Sequence, residues 1–180
     1  MNLEESLFPD RRRLFQALAT DICRQIEAAV KKRRKASLAL AGGVTPAPLY
    51  ETLCNLPAPW SKVSVTLTDE RWVSPEDPAS NEWLIREQLL RRRAAEAQLF
   101  PFKTNHARPA AACATVERRI ASLMPFDICL LGMGPDGHVA SLIPGAEGFE
   151  TGSDPDNERR LCAVHAPGAA GSPDRLSLTT

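Results

Sequence analysis

The sequence predicts an α/β fold, a mostly parallel sheet flanked by helices, on three observations. Apolar runs of strand length without polar alternation occur at residues 37–41 (SLALA) and 128–131 (ICLL), as in parallel strands covered on both faces. Segments with apolar residues at helical spacing alternate with such runs, giving a βαβ order. Glycine-rich turns follow the strands at once, AGGVTP after the first and GMGPDGH after the second. In open sheets ligands bind beyond the carboxyl ends of the strands, so His138 in the second turn stands where a substrate is expected.

Taken in order, Leu14, Leu18, Ile22, Ile26 and Val30 recur at near four-residue spacing and predict an amphipathic helix over residues 11–35, capped by Asp10. Arg11, Arg12 and Arg13 oppose its dipole, whereas the basic run from Lys31 to Lys35 suits the other end and is expected to be solvated. After the strand at 37–41, Thr45 is expected to cap a helix with Pro46 in its first position, and Tyr50, Leu53 and Cys54 supply its apolar face. Val63, Val65 and Leu67 alternate with polar residues, as in a strand over 62–67 with one wetter face. Thr68, Asp69, Glu70, Arg71 and Trp72 follow at its carboxyl end. A helix is expected over 80–93, with Arg91, Arg92 and Arg93 at its solvated end, then an irregular stretch, QLFPFKTNHARP, in which His106 is a surface residue. Ala112, Val116, Ile120 and Leu123 mark a further helix that feeds the strand at 128–131, and residues 161–165 and 176–178 are two more strands.

Composition narrows the function. The 180 residues suit one domain, 1–180, able to bury roughly 70% of the surface its unfolded chain exposes. Lys plus Arg equals Asp plus Glu at 22 each, so no overall field draws nucleic acid or an anionic membrane, and attraction for an anion has to be local. The cysteines, Cys23, Cys54, Cys113, Cys129 and Cys162, are five in number and widely spaced, which suits reduced thiols in a cytoplasmic protein. The start, MNLEESLFPD, lacks a signal-like apolar region, and no later stretch has the length of a membrane span.

Several chemistries compete for the central turn. Gly132, Gly134 and Gly137 spell GxGxxG, but the unit lies late in the chain, and too little sequence follows for a second nucleotide-binding half with its acidic ribose ligand. No short His or Cys spacing suggests a metal site, and the GxSxG elbow of a serine hydrolase is absent. An Asp-Gly-His turn remains. A histidine there can act as general base, a neighbouring carboxylate can fix its tautomer, and glycine amides can stabilise an oxyanion. The alternative is that His138 caps a helix starting near Val139. Likewise the paired glycines of AGGVTP, beside a helix N-terminus, suit phosphate, although an ordinary β-to-α connection has the same form. Arg71 suits phosphate or carboxylate equally well as a salt bridge to Asp69 or Glu70.

Three ordered blocks, AGGVTP from Ala41, TDERWV with the later Ser80 and Asn81, and LGMGPDGHVASLIPG from Leu131, resemble the 6-phosphogluconolactonases of the wider sugar-phosphate isomerase and lactonase superfamily. DRLSLT from Asp174 is a weaker fourth. The resemblance implies a Rossmann-like sheet and hydrolysis of 6-phospho-D-glucono-1,5-lactone to 6-phosphogluconate, in the oxidative pentose phosphate pathway, with neither metal nor organic cofactor. His138 matches the general base and Asp136 its orienting partner. Gly42, Gly43 and Thr45 match the phosphate-side loop, and Arg71 and Arg175 match arginines facing the substrate or its phosphate. The implied partner is therefore a small phosphosugar lactone, not nucleic acid or membrane.

The chain departs from the family pattern in places. Ala41 stands where a serine is usual, and Val139 and Ile143 replace a more usual threonine and phenylalanine. Family members also continue past the RLSLT strand through a further helix and strand, so the sheet of this chain is expected to lack its C-terminal part or to pair with another subunit. Two other functions are weighed against the lactonase. Glucosamine-6-phosphate deaminases share DGH but follow it with an acidic residue for ring opening, whereas residues 140–144 here, ASLIP, contain no acid. A non-catalytic sugar-phosphate binding protein is the second.

Overall fold

The computed structural model describes residues 4–180. Helix α1 (Arg11–Arg33) starts where the Asp10 carboxylate accepts from the Arg13 amide at 2.8 Å and stops at Arg34 in a left-handed cap. No acid occupies its first turn, so Asp10 alone offsets the positive end of the dipole. Its buried stripe, Ala19, Ile22, Cys23, Ile26 and Ala29, packs toward strand β1 (Ala36–Leu40), all five residues of which are buried.

Burial on both faces follows from the central place of β1. It pairs in parallel with β2 (Val63–Leu67) on one side and β5 (Ile128–Leu130) on the other, so that Leu38 lies between Val65 and Ile128. The short β4 (Gln98–Leu99) extends β2, and the order is β4-β2-β1-β5, parallel throughout. Helices α2 (Ala47–Leu53), α3 (Asn81–Gln88) and α4 (Pro109–Ile120) supply Tyr50, Leu53, Ile85, Val116 and Ile120 to the same core.

A second sheet lies beside the first. β3 (Asp69–Arg71) leaves β2 after a single residue, Thr68, whose amide still donates to Leu40 of β1 at 3.0 Å. β7 (Asp174–Leu178) pairs antiparallel with β3 and with β6 (Leu161–His165), giving the order β3-β7-β6 and placing Arg71 opposite Arg175. The described strands thus form a parallel sheet plus a separate antiparallel one, with a short helix α5 (Phe149–Ser153) next to β6.

Several local expectations change. The wetter face of β2 is wet only at its start: Lys62 is exposed and Ser64 half-buried, but Thr66 is fully buried, its hydroxyl donating to the Phe100 carbonyl at 2.8 Å just past β4. β5 is an edge strand with Cys129 exposed, not a strand covered on both faces. The helix expected over 80–93 stops at Gln88, and Arg92–Glu96 form a separate 3-10 turn entered through a left-handed Arg92, so the three arginines are not its end. Thr45 caps nothing: α2 begins after Pro46 without a side-chain cap, since Pro46 itself holds helical angles. The irregular stretch contains β4, while His106 is exposed as expected. No helix of the described residues is long and apolar enough to cross a membrane.

Candidate active site

Strand order reverses at β1: the chain moves outward from it to β2 and β4, then returns to its other side as β5. The connections after β1 and β5 therefore leave the sheet in opposite directions from neighbouring carboxyl ends, and a crevice opens between them. A cavity of about 380 Å³ lies there, lined by Gly42, Gly43 and Thr45 from the first connection and by Gly132, Gly134 and His138 from the second.

The second connection is a tight turn. The Gly137 amide donates to Gly134 at 3.0 Å and the Gly134 amide to the His138 carbonyl at 2.9 Å, with Gly137 left-handed at φ 84°. This folds His138 Nδ1 back to within 2.5 Å of Asp136 Oδ1, and that hydrogen bond holds the Asp136 carboxyl below the usual carboxylate range. With Nδ1 engaged, Nε2 is the nitrogen left to take a proton. A side chain on Gly134 would collide with the imidazole and the carboxylate, so this glycine makes room for the pair. The two turn amides are spent within the turn, which removes them as the oxyanion donors the sequence suggests. No helix starts near Val139. Ala140 instead adopts a left-handed backbone, φ 51°, at a cost on the order of 1 kcal/mol, and turns Ser141 inward.

The opposite wall is polar. Alternation along β3 turns Asp69 and Arg71 to the cavity, and Arg175 joins them from β7. Asp69 is 5% exposed and accepts from Ser141 Oγ at 2.5 Å and from Asn81 Nδ2 at 3.1 Å. Arg71 forms no ion pair with Asp69 or Glu70 among the described residues; its Nη1 donates to the Ala79 carbonyl at 2.7 Å. Arg175 donates to the carbonyls of Ser172 and Ala170 at 3.0 and 2.5 Å. Burial, and then the charge of Arg71, lower the pKa of Arg175, while Asp69 opposes the shift. Two guanidinium groups facing one carboxylate leave this wall positive, although the whole chain is neutral.

The first connection is braced from below and beside. Tyr50 of α2, fully buried, donates its hydroxyl to the Ala41 carbonyl at 2.5 Å, and burial pushes that phenol's pKa up. Gly42 abuts the Asn81 amide so closely that any Cβ would overlap it. Gly43 is left-handed at φ 87° with nothing within 4 Å of a would-be Cβ.

All seven residues expected in the site thus come together: six line the cavity, and Asp136 reaches it through His138. Asp69, Asn81 and Ser141 join them without having been expected as site residues. Reading TDER as a strand would have found Asp69, since residues two apart share a face. An apolar wall from α1, Leu14, Phe15 and Leu18, was also unforeseen; Leu14 and Leu18 belong to the stripe that predicts the helix, Phe15 stands beside it, and all three are only half-buried. His165 and Asp174 pair at 2.7 Å elsewhere, away from this cavity. No group of His, Cys, Asp and Glu able to hold a metal ion occurs among the described residues.

Fold and site together define an α/β protein with an arginine-lined cavity and an Asp–His pair at the switch point of its parallel sheet. A family model described as glucosamine-6-phosphate isomerases/6-phosphogluconolactonase matches residues 9–180. A 6-phosphogluconolactonase of Rhizobium meliloti is 41% identical over 180 residues, spanning 99% of this chain and 77% of that one. One of Caulobacter vibrioides is 39% identical, spanning 96% and 74%. The crystal structure of a 6-phosphogluconolactonase from Shewanella baltica superposes with a TM-score of 0.91 at 35% identity, covering 96% of this chain and 72% of that one. The chain belongs to the glucosamine-6-phosphate isomerase/6-phosphogluconolactonase family.

Proposed function

We propose that this chain is a lactonase that hydrolyses 6-phospho-D-glucono-1,5-lactone to 6-phospho-D-gluconate with water activated by His138. The carrying observation is the Asp136–His138 pair, 2.5 Å apart, on a cavity whose opposite wall holds Arg71 and Arg175. The names of the similar proteins support the same reaction. In the first step His138 Nε2 takes a proton from water as its oxygen bonds to the lactone carbonyl carbon, giving a tetrahedral oxyanion. In the second the carbonyl re-forms, the bond to the ring oxygen breaks, and the imidazolium returns its proton to that oxygen. Asp136 holds the ring tautomer and stabilises the transient imidazolium.

The phosphate belongs at the positive wall and the AGG loop, with Gly42, Gly43 and Thr45 beside it. The two arginines differ in what they offer. Arg175 spends much of its fork on protein carbonyls and contributes mainly charge, whereas Arg71 gives only Nη1 to a protein carbonyl and lines the cavity with donors to spare. Ring opening of an amino sugar, the deaminase reaction, finds no acid in residues 140–144 behind the histidine.

The test follows acid release from freshly prepared lactone against its spontaneous opening, with ammonia release from glucosamine-6-phosphate measured in parallel. Excess acid release without ammonia is expected. Ammonia release would establish the deaminase instead, and retained binding of 6-phosphogluconate without any excess rate would make the chain a binding protein.

A further inference from the structure

We propose that Glu70, which does not line the cavity, is a positioning residue: its carboxylate clamps the start of α3 against β3 and so sets where Arg71 and Asn81 meet the substrate. The inference rests on the lactonase reading of the cavity. Alternation along β3 sends Asp69 and Arg71 to the cavity and Glu70 to the other face, where it is fully buried. There one carboxylate accepts four hydrogen bonds. Oε1 takes the amides of Arg71 and Asn81, each at 2.7 Å, and Oε2 takes the Glu82 amide at 2.8 Å and the Ser80 hydroxyl at 3.0 Å.

The first turn of α3 is thereby satisfied by two side chains, since Ser80 Oγ in turn accepts from the Trp83 amide at 3.2 Å. Ser80 alone could cap this helix. Adding a buried carboxylate costs desolvation, and burial pushes the Glu70 carboxyl up to about 7 despite its donors. What the carboxylate adds is a cross-tie. Around it Arg71 Nη1 reaches the Ala79 carbonyl, Asn81 Nδ2 reaches the Asp69 carbonyl at 2.9 Å, and Asn81 fills the space left by Gly42. Both cavity-lining residues and the phosphate-side loop are therefore referenced to the element that Glu70 anchors. The Asp136–His138 turn is hydrogen-bonded within itself and shares no hydrogen bond with Glu70.

Glu70→Gln keeps the shape but sets an amide NH2 against donors that now lack an acceptor. Steady-state hydrolysis by this variant is expected to show KM raised about tenfold with kcat within about threefold of wild type. In an Arg71→Ala background the same change should raise KM by clearly less than the roughly tenfold expected in wild type, because one of the two residues being positioned is gone. Ile120→Val, a core change in α4, provides a destabilised comparison whose KM stays at the wild-type value. An unchanged KM in Glu70→Gln, or full multiplicativity with Arg71→Ala, overturns the proposal. Should Glu70→Gln not fold, Ser80→Ala carries the same comparison with a KM effect of about threefold. A wild type with no excess hydrolysis refutes the lactonase reading instead, and the positioning role is then decided by the same variants on the dissociation constant for 6-phosphogluconate.

Discussion

Gly134→Ala separates the geometry of the Asp–His pair from the stability of the turn that carries it. The backbone of Gly134 lies outside the left-handed region, so alanine can adopt it, but the new Cβ would lie 2.8 Å from Asp136 Oδ1 and closer still to the imidazole. Ordinary van der Waals contact begins at 3.4 Å, so the pair has to retreat. A retreat of about 1 Å at a reacting group costs roughly a hundredfold in rate. The expected result is therefore a kcat about a hundredfold lower with little change in melting temperature. Gly137→Ala is the complementary change: nothing lies within 4 Å of its Cβ, but φ is 84°. It should cost about 1 kcal/mol of stability in urea unfolding and spare the pair. Acid release from fresh lactone and unfolding curves on both variants give the comparison. A Gly134→Ala enzyme with wild-type kcat would refute the reasoning that the placement of His138 limits the rate.

Two further predictions concern the buried polar groups. Ser141→Ala removes the hydroxyl that donates to Asp69 Oδ2 in a fully buried setting, and should cost about 1–3 kcal/mol in urea unfolding. Because the folded carboxyl of Glu70 sits at about 7 against 4.5 for the free group, the fold holds more protons there than the unfolded chain. Its contribution to stability is therefore greatest below pH 4.5, falls as pH rises through that window, and is lost above about 7. The span is on the order of 3 kcal/mol. Lys103 lies near this carboxyl: burial lowers its pKa and the charge of Glu70 opposes that shift. Urea midpoints of wild type and Glu70→Gln across this pH range should diverge in slope, and parallel curves would contradict it.

The sequence carries the fold where one rule acts alone. The spacing of Leu18, Ile22 and Ile26 gives α1, and the uninterrupted run around Leu38 gives a central strand. It misleads where neighbours distant in the chain decide the environment. Val63 to Leu67 alternate like a half-wet strand, yet Thr66 is buried because its hydroxyl finds Phe100, 34 residues on. The run at Ile128 looks covered on both faces, yet Cys129 in its middle is exposed. The site was legible in its glycines, histidine and arginines, because turns and permanent charges declare themselves locally. The roles of Asn81, Ser141 and Glu70 were not, since they depend largely on hydrogen bonds to residues 10 to 72 positions away in the chain. The antiparallel pairing that sets Arg71 opposite Arg175 is equally invisible in residues so far apart.

The most direct test of the account is the initial rate of acid release from freshly made 6-phosphogluconolactone by wild type and His138→Ala, each corrected for spontaneous opening. Wild type is expected to exceed that background. His138→Ala should lose the excess by at least about a hundredfold while binding 6-phosphogluconate within a few-fold of wild type. Full activity in His138→Ala would contradict the assignment of the base.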